Sequence, residues 1–367
     1  MTAALGLARR ALGRAWPNPT VGCVLVASRN RVVGRGWTQI GGRPHAEAEA
    51  LARAGEAARG ATAYVTLEPC AHQGVTPPCA DALLAAGIAR AVVAVEDPDP
   101  RVQGRGIERL RVAGIEVRTG IGRAEAEEIN AGFFLKVRTG RPLVTLKLAT
   151  SLDGRIALRT GESRWITGEA ARRRGHWLRA THDAVLVGSG TALADDPLLT
   201  CRLEGLEGRS PVRVLLDPRL KVPLRAQLYR NARDVPVWLV VGDRATGASV
   251  AEREALGVEP VRVSEDDTGL VPMAEVLAAL AGRGITRLLV EGGSRLAAAL
   301  LGAGLVDRLA WFRAPLVLGG DGLGAADALG LARLADAPRF RRVDVERVGD
   351  DILETYAREG QSSVSPI

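Results

Sequence analysis

Three residues near the start of the chain, His45, Cys70 and Cys79, have side chains of the types that bind zinc. One imidazole and two thiolates suit this borderline-soft ion, and a set of three ligands leaves a fourth coordination position for water. Zinc lowers the pKa of a bound water from about 16 to about 7, which makes hydroxide available near neutral pH. Glu47 follows His45 by two residues and could carry protons to and from that water. The sequence therefore predicts a catalytic zinc site.

Two carboxylates, Glu47 and Glu49, are close enough to His45 to carry those protons. Helical spacing favours Glu49, which lies one turn from His45 on the same face. However, a ligand at the start of a helix points out of the helix end, where first-turn residues surround the metal whatever their face. The residues alone leave both candidates open. The order His-x-Glu followed by Pro-Cys resembles zinc-dependent nucleobase deaminases, in which the Glu is a general acid/base and not a ligand, and this resemblance implies Glu47.

The spacing of the two cysteines departs from the Pro-Cys-x-x-Cys of ordinary deaminases. Eight residues separate Cys70 from Cys79, and His72 lies between them. His72 could therefore replace a cysteine as a ligand. It could also add a fourth ligand, which would close the site and turn it into a structural zinc module without catalysis. The presence of Glu47 argues against such a structural module. So does the lack of a fourth protein ligand besides His45, Cys70 and Cys79.

The surrounding sequence predicts an α/β domain that would position these residues. A helix is expected from about residue 45 to 58, and an apolar strand over residues 61–67 leads to Cys70. Cys79 would begin another helix, where the positive end of the helix dipole lowers the pKa of a thiol. Further strands are predicted at 21–27, 31–37, 91–96 and 115–118, and further helices at 2–15 and 107–113. Asn18, in a Pro-Asn-Pro segment, is a candidate for lining the pocket, although it could equally serve only a turn.

The second half of the chain is again α/β and contains a candidate phosphate site. Apolar runs at 184–187, 212–216, 237–241, 287–290 and 309–318 alternate with helices at 169–180, 273–281 and 294–301. Gly292 and Gly293 lie between a buried strand and a helix whose first amide groups would face an anion, and Ser294 is expected to cap that helix. No Gly-x-Gly-x-x-Gly follows a strand, so a Rossmann dinucleotide site is not supported.

Length and composition set the remaining expectations. The 367 residues predict two domains, 1–141 and 142–357, followed by a disordered tail at 358–367. With four scattered cysteines, no run of 18 apolar residues and no signal-peptide pattern, we expect a cytoplasmic protein that does not engage a membrane. The net charge is +7, but aromatic residues are only 4% and no dense basic run occurs, which argues against a nucleic-acid partner. The arginine excess suits small phosphorylated molecules. The oligomeric state stays open, with a homo-oligomer as one option.

Longer motifs in both halves resemble one family of two-domain enzymes. Residues 66–79 read Thr-Leu-Glu-Pro-Cys-Ala-His-Gln-Gly-Val-Thr-Pro-Pro-Cys. This string is similar to the deaminase domain of the bifunctional riboflavin-biosynthesis deaminase/reductase family, which has the longer cysteine spacing. Four strings, at 146–155, 161–167, 191–200 and 290–293, resemble in order the motifs of the reductase domain of the same family. The resemblance implies a cytidine-deaminase-like α/β/α sandwich followed by a dihydrofolate-reductase-like α/β domain.

The resemblance also implies two consecutive reactions. The first domain would hold one Zn²⁺ through His45, Cys70 and Cys79 and use Glu47 as the proton shuttle. It would remove the 2-amino group of 2,5-diamino-6-ribosylamino-4(3H)-pyrimidinone 5′-phosphate as ammonia. The second domain would use NADPH to reduce the ribosyl group of the deaminated product to a ribityl group.

By motif position, two sets of residues in the second half match the contacts of this family. The implied NADPH contacts are Ala149, Trp165, Thr191, Asp195, Gly293, Ser294, Arg295, Leu296, Ala297, Ala298 and Ala299. The implied substrate contacts are Ser163, Arg179, Leu199, Arg202 and Glu291, of which the two arginines suit the 5′-phosphate. Lys147 and Asp195 are charged groups that could polarise or protonate the reacting centre. Lys147 could instead anchor a phosphate or pair with a carboxylate.

A competing interpretation is a nucleic-acid deaminase, such as a tRNA adenosine deaminase, with an accessory C-terminal domain. The low aromatic content leaves few side chains on which unpaired bases could stack. The phosphate-sized motifs of the second half would also have no role in such a protein. We therefore favour the two-step enzyme.

Overall fold

Apolar, β-branched runs in the first 140 residues form a five-stranded sheet. Its strands are β1 (Gly22–Ala27), β2 (Arg31–Trp37), β3 (Thr62–Val65), β4 (Arg90–Val93) and β5 (Glu116–Thr119). Their order is β2-β1-β3-β4-β5, with β1 antiparallel to both neighbours and β3, β4 and β5 parallel. Because parallel strands need crossover connections, helices follow β3 and β4.

Six α-helices accompany this sheet within residues 1–74 and 77–140. They are α1 (Thr2–Ala8), α2 (Ala46–Ala54), α3 (Cys79–Ala85), α4 (Arg105–Val112), α5 (Arg123–Ile129) and α6 (Ala131–Thr139). Apolar side chains from the helices and strands share one core, which includes Leu5, Leu25, Val65, Leu83 and Leu110. The helices predicted at 2–15 and 45–58 are shorter than expected, because the chain tightens into 3₁₀ turns at Arg9–Ala11 and Gly55–Ala58.

The second half of the chain forms a nine-stranded sheet and a small two-stranded one. The strands are β6 (Leu143–Thr150), β7 (Arg155–Ala157), β8 (Ala184–Gly188), β9 (Val212–Leu216), β10 (Val237–Val241), β11 (Val258–Arg262), β12 (Arg287–Val290), β13 (Arg308–Arg313), β14 (Leu323–Gly324), β15 (Phe340–Val348) and β16 (Asp351–Arg358). The large sheet has the order β11-β10-β9-β8-β12-β6-β13-β16-β15, and β14 pairs with β7. Strands from β11 to β13 are parallel, and β16 and β15 extend the sheet antiparallel.

The helices of this half are α7 (Glu169–Thr181), α8 (Ser189–Asp195), α9 (Gln227–Arg230), α10 (Gly247–Glu254), α11 (Met273–Gly282) and α12 (Ser294–Gly302). The parallel strands β8, β12 and β6 lie side by side, so their carboxyl ends meet at one edge of the sheet. Ligands of open parallel sheets bind at such an edge, beyond the carboxyl ends of the strands.

The computed structural model describes residues 1–74 and 77–359, and these residues divide into two units, Met1–Gly140 and 141–359. The predicted α/β class of both halves is confirmed. The strand predicted from the apolar run at 309–318 is too long, since β13 ends at Arg313. Arg358, the first residue of the predicted tail, belongs to β16, and residues 360–367 of that tail lie outside the described residues. No helix in the described part of the chain is long and apolar enough to cross a membrane.

Candidate active sites

Two helix N-termini and one strand exit bring the predicted zinc ligands together. His45 immediately precedes α2, Cys79 is the first residue of α3, and Cys70 lies in the segment after β3. The prediction that the start of α3 lowers the pKa of Cys79 is wrong, because the hydrogen bond to Cys70 and burial raise that pKa. The backbone N–H of Cys79 donates to Cys70 Sγ at 3.3 Å, which ties the two cysteines to one another.

The three ligand atoms form a compact group. His45 Nδ1 lies 3.3 Å from Cys79 Sγ and 3.7 Å from Cys70 Sγ, and all three atoms lie within 4.8 Å of one another. Tetrahedral zinc with bonds of roughly 2.1–2.3 Å holds its ligand atoms about 3.5–3.8 Å apart. The donor set therefore fits zinc in both chemistry and spacing. Within residues 1–74 and 77–359 this is the only His/Cys/Asp/Glu group of metal-binding size, and His72 is not part of it.

The two thiols are polarised in opposite directions. The hydrogen bond from the Cys79 side chain lowers the pKa of Cys70 to about 4, against the effect of burial. The same hydrogen bond, together with burial, raises the pKa of Cys79. The hydrogen bond to Cys70 raises the pKa of His45. Cys70 is therefore the cysteine that most readily presents a thiolate to a metal.

The two candidate proton carriers have different surroundings. Glu47 is only 3% exposed, and burial together with the negative charge of Cys70 raises its pKa to about 7. A carboxyl group with a pKa near neutrality can both accept and give a proton. Glu49, in contrast, pairs with Arg53 at 2.9 Å. These surroundings support Glu47 as the shuttle.

Asn18 lies against the segment that leads to His45. A Cβ atom on Gly42 would be 1.8 Å from Asn18 Nδ2, and Gly42 has a φ of +84°. Only glycine combines this close approach with this backbone conformation. The side chain of Asn18 is therefore packed against Gly42, which lies three residues before the predicted zinc ligand His45.

Sequence reasoning missed two acidic residues, Asp97 beside the predicted zinc ligand Cys70 and Asp99 beside His72. Asp97 follows β4, and burial raises its pKa to about 7, with a further contribution from the Cys70 charge. The hydrogen bond from Arg101 lowers the pKa of Asp99, and the charge of His72 contributes in the same direction. His72 Nδ1 is buried without a hydrogen-bond partner in the described residues. The Asp-Pro-Asp-Pro string at 97–100, directly after a strand, was the available signal.

In the second unit, three predicted residues form one buried charged cluster. Arg179 Nε and Nη2 donate to the two carboxylate oxygens of Glu291 at 2.6 and 2.9 Å, and Arg179 Nη1 donates to the Thr200 carbonyl at 3.0 Å. Burial alone would raise the pKa of Glu291, but Arg179 outweighs it and lowers the pKa to about 2. Burial lowers the pKa of Lys147, against the opposing effect of Glu291. Arg179 retains one N–H on each terminal nitrogen for a further anion.

The segment after α8 carries two further predicted substrate residues, Leu199 and Arg202. Leu199 has a φ of +57° and its side chain is buried, so it can offer a ligand only its backbone. His176 Nδ1 lies 3.1 Å from the Thr200 carbonyl and 3.3 Å from the Arg202 backbone nitrogen. Burial and the charges of Arg179 and Arg202 lower the pKa of His176 to about 4. The ring therefore holds the Arg202 backbone beside the Arg179 cluster.

The predicted phosphate cradle lies at the start of α12. Gly293 is the N-cap and Ser294 is the first helical residue, so the prediction that Ser294 caps the helix is wrong. The chain enters the helix through an extended Gly293, whose lack of a side chain leaves the first amides of α12 without a side-chain cap. Thr191 Oγ1 lies 3.4 Å from where a Gly293 Cβ would stand, so two implied NADPH contacts adjoin one another.

The other implied NADPH contacts are spread along the edge of the sheet. Trp165 is 69% exposed, and Arg172 Cζ lies 4.6 Å from its ring centroid. Arg164 Nη2 donates to the Asp195 carbonyl at 2.7 Å, which joins the Trp165 segment to the end of α8. Leu296 and Ala297 are buried, so their contact with a cofactor would run through the backbone.

The two halves match two different protein families. Residues 1–95 match the cytidine and deoxycytidylate deaminase zinc-binding region, and residues 142–353 match the RibD C-terminal domain. A zinc-binding deaminase domain and a reductase domain of the NADPH-using kind are thus present in one chain. This combination defines a bifunctional deaminase/reductase.

Full-length relatives give the particular family. The chain is 45% identical to riboflavin biosynthesis protein RibD of Escherichia coli and 43% identical to that of Bacillus amyloliquefaciens, covering 96% of each of those proteins and 96% and 98% of this chain. The structure of Acinetobacter baumannii RibD is similar with a TM-score of 0.86 at 40% identity, covering 97% of both chains. A Thermotoga maritima diaminohydroxyphosphoribosylaminopyrimidine deaminase/5-amino-6-(5-phosphoribosylamino)uracil reductase is similar with a TM-score of 0.84 at 36% identity, over 98% of this chain and 97% of that one. The chain belongs to the RibD family of riboflavin biosynthesis proteins.

Family membership confirms the predictions of fold class and function. The first domain is cytidine-deaminase-like and the second is an α/β reductase domain that matches the RibD C-terminal domain. The enzyme is a zinc-dependent deaminase and an NADPH-dependent reductase of riboflavin biosynthesis. The alternative of a tRNA adenosine deaminase is not favoured.

Proposed function

We propose that the first unit deaminates 2,5-diamino-6-ribosylamino-4(3H)-pyrimidinone 5′-phosphate with zinc held by His45, Cys70 and Cys79 and with Glu47 as the proton shuttle. The observation that carries this proposal is the compact ligand group beside a buried glutamate whose pKa is raised to about 7. The substrate class agrees with the activity given by the name of the Thermotoga relative. We assign the substrate to small phosphorylated pyrimidines and not to nucleic acid, in line with the low aromatic content.

The chain's own groups supply the proton transfers of the hydrolysis. When bound, zinc would lower the pKa of water and so make a nucleophile available near neutral pH. Glu47 accepts a proton as the water oxygen bonds to C2 of the pyrimidine, and it returns a proton to the amino group as the C2–N bond breaks and ammonia leaves. General acid–base catalysis of this kind contributes roughly 10²- to 10⁴-fold. Asn18 is proposed to line this pocket.

We propose that the second unit reduces the ribosyl group at the carboxyl edge of the parallel strands. When bound, NADPH would supply a hydride to C1′ of the open-chain imine, which forms as the C1′–O4′ bond opens and whose nitrogen takes up a proton as C1′ is reduced. The implied NADPH contacts, from Ala149 to Ala299, and the implied substrate contacts Ser163, Arg179, Leu199, Arg202 and Glu291 are the proposed binding residues. Lys147 and Asp195 are proposed to polarise or protonate the reacting centre. A buried lysine with a lowered pKa gives up its proton more readily than an exposed one.

Separate assays of ammonia and NADPH test this assignment. Glu47→Gln keeps the size of the side chain but removes the proton carrier, so we expect ammonia release from the diaminopyrimidine ribotide to fall by at least about a hundredfold. NADPH oxidation on substrate that is already deaminated should be unchanged. Glu49→Gln is the matched control and should keep both rates. Equal loss of both activities in Glu47→Gln, or loss of deamination in Glu49→Gln, would contradict the assignment.

A further inference from the structure

The carboxylate of Glu68 has no role in the chemistry proposed above, yet it is among the most completely bonded side chains of the first unit. Glu68 is 3% exposed and lies two residues before the zinc ligand Cys70. Its backbone N–H donates to the Val95 carbonyl at 2.9 Å, so the residue continues the line of β3 beside the end of β4. Its side chain therefore lies between the exits of two neighbouring strands.

Four backbone N–H groups converge on this carboxylate. Oε2 accepts from Asp97 at 3.2 Å and from Gly104 at 2.9 Å. Oε1 accepts from Gly106 at 2.8 Å and from Ile107 at 3.2 Å. Hydrogen bonds to an ionised acceptor are roughly twice as strong as neutral ones. One side chain thus holds both ends of the loop between β4 and α4.

The same carboxylate caps α4 from outside the helix. The N-cap residue Gly104 has no side chain that could bond the first amides of α4. Glu68 takes over that role at Gly106 and Ile107, the second and third residues of the helix. Its negative charge lies at the positive end of the helix dipole, where it is stabilising.

The start of α4 also contacts the peptide that carries the zinc ligand. A Cβ atom on Gly106 would lie 1.9 Å from the Pro69 carbonyl oxygen. The Pro69–Cys70 peptide is thus packed against α4 on one side. On the other side, the Ala80 backbone N–H donates to the Cys70 carbonyl at 3.2 Å, which fixes Cys70 to α3.

We propose that Glu68 is a positioning residue of the zinc centre: by binding the start of α4 and the loop at 97–104, it holds Cys70 in place relative to His45 and Cys79 and keeps Asp97 beside the site. This inference rests on the proposed assignment of these three residues as the zinc ligands. Residues that orient metal ligands typically change metal affinity or activity by roughly 10- to 100-fold when they are replaced.

Glu68→Gln is the direct test. The amide keeps the shape of the side chain but turns one oxygen into an N–H donor that faces two backbone N–H groups, so two of the four bonds are lost. We expect zinc affinity, measured by competition with a chromophoric chelator, to fall by about 10- to 100-fold. In the cobalt(II)-substituted protein, the thiolate charge-transfer and d–d bands should shift. NADPH oxidation on deaminated substrate should be unchanged.

Matched variants separate positioning from general destabilisation. Glu128→Gln neutralises another buried carboxylate of the same unit, on α5, and should leave zinc affinity and the cobalt spectrum unchanged. Gly106→Ala would place a Cβ 1.9 Å from the Pro69 carbonyl oxygen and 3.3 Å from Glu68 Cγ. It therefore displaces the Pro69 carbonyl while keeping the charge of the Glu68 carboxylate, and it should also weaken zinc binding. Gly6→Ala, on α1, meets no atom within 4 Å and is its control.

Each outcome decides one point. Wild-type zinc affinity and cobalt spectrum in Glu68→Gln would overturn the positioning role, as would an equal loss in Glu128→Gln. Should Glu68→Gln fail to fold, Gly106→Ala decides instead, and unchanged zinc binding there would overturn the proposal. If the wild-type protein binds no zinc, or keeps it in Cys70→Ser, the ligand assignment itself fails, which is a different result from tight wild-type binding that Glu68→Gln does not alter.

Discussion

His182 is 4% exposed and lies between two hydrogen-bond partners, neither of which carries a negative charge that would stabilise a protonated ring. Nδ1 lies 2.7 Å from the Leu178 carbonyl, which can only accept a hydrogen bond, so Nδ1 carries the proton. Nε2 then accepts from the Thr145 hydroxyl at 2.9 Å. Burial and the charge of Arg287 lower the pKa of His182 from its usual 6.5 to about 4, although the Leu178 bond and Glu291 act in the opposite direction. A second proton on this ring, at Nε2, would require the Thr145 hydroxyl to change from donor to acceptor.

This histidine makes the stability of the second unit depend on pH. The unfolded chain protonates the residue below about pH 6.5, whereas the folded chain resists protonation down to about pH 4. The unfolded state therefore binds more protons in this window. The contribution of His182 to the free energy of unfolding is fully present above about pH 6.5 and is lost as the pH drops toward 4. The loss approaches roughly 3 kcal/mol, since one pKa unit corresponds to about 1.4 kcal/mol.

Hydrogen exchange of peptides from β6 and α7, referred to the intrinsic exchange rate at each pH, measures this effect. Protection should fall between pH 6.5 and 4.5 in the wild-type protein, and His182→Gln should flatten that fall. His176→Gln should remove a smaller part of the fall, because the pKa of His176 is also lowered to about 4 but its ring is only about half buried. Protection that is constant over this range in the wild-type protein would refute the prediction.

At the scale of elements, helix N-termini position residues of the proposed zinc site and of the proposed phosphate cradle. His45 precedes α2, Cys79 begins α3, and Gly293 precedes α12. At α12 the first turn offers amide N–H groups and a positive dipole end that would attract the proposed phosphate oxygens. At α3 the hydrogen bond to Cys70 and burial raise the pKa of Cys79, so the helix start there serves mainly to place the side chain. Both proposed sites thus include residues at the start of a helix, although their ligands differ.

The α12 N-terminus allows a test of the phosphate cradle. Gly293→Ala adds a Cβ whose nearest neighbour would be Thr191 Oγ1 at 3.4 Å, so the folded protein can accept it. The same methyl group would occupy the approach to the first amides of α12. We expect KM for NADPH to rise about tenfold, or about 1.4 kcal/mol, with kcat and thermal stability little changed.

Gly302→Ala is the matched control for this substitution. Gly302 is the last residue of the same helix, and an added Cβ there meets no atom within 4 Å. Kinetics with NADPH should therefore match the wild-type enzyme. If Gly293→Ala leaves KM for NADPH unchanged while Gly302→Ala does too, the cofactor does not approach this helix end.

Elements that are buried on both faces were predictable from the sequence, and half-exposed ones were not. The strands Val212–Leu216, Val237–Val241 and Arg287–Val290 were predicted with their observed bounds, because continuous apolar runs mark strands covered on both sides. Val258–Arg262 was missed, since its Glu, Pro and Arg interrupt the apolar pattern. Phe340–Val348 was missed for a similar reason, because it is a largely exposed edge strand rich in charge.

The same distinction holds for the sites. The zinc group could be predicted because residue type and family-like spacing identify the ligands before the fold is known. Glu68 could not, since its four donors lie 29 to 39 residues further along the chain and nothing local indicates that they converge. The cap at Ser294 was wrong because the preference of serine for N-caps is local, whereas the start of α12 is set by the extended Gly293.

At the scale of the whole molecule, each unit contains all the residues proposed for its own reaction. The residues proposed for deamination lie within Met1–Gly140, and those proposed for reduction lie within 141–359. The first residue of the second unit is fixed within that unit, because Arg141 donates hydrogen bonds to both carboxylate oxygens of the buried Asp307 at 2.6 and 2.8 Å. The residues proposed for each reaction therefore come from one unit.

This separation predicts how the protein responds to loss of metal. In the described ranges 141–359, no His/Cys/Asp/Glu group has the size of a metal site, and the single such group lies in the first unit. Treatment with a strong chelator should reduce ammonia release by at least about a hundredfold, because the nucleophile is no longer available near neutral pH. NADPH oxidation on deaminated substrate should be unchanged, and added zinc should restore ammonia release. A parallel loss of NADPH oxidation that zinc restores would show that the reductase also depends on metal, contrary to the separation of the two sites.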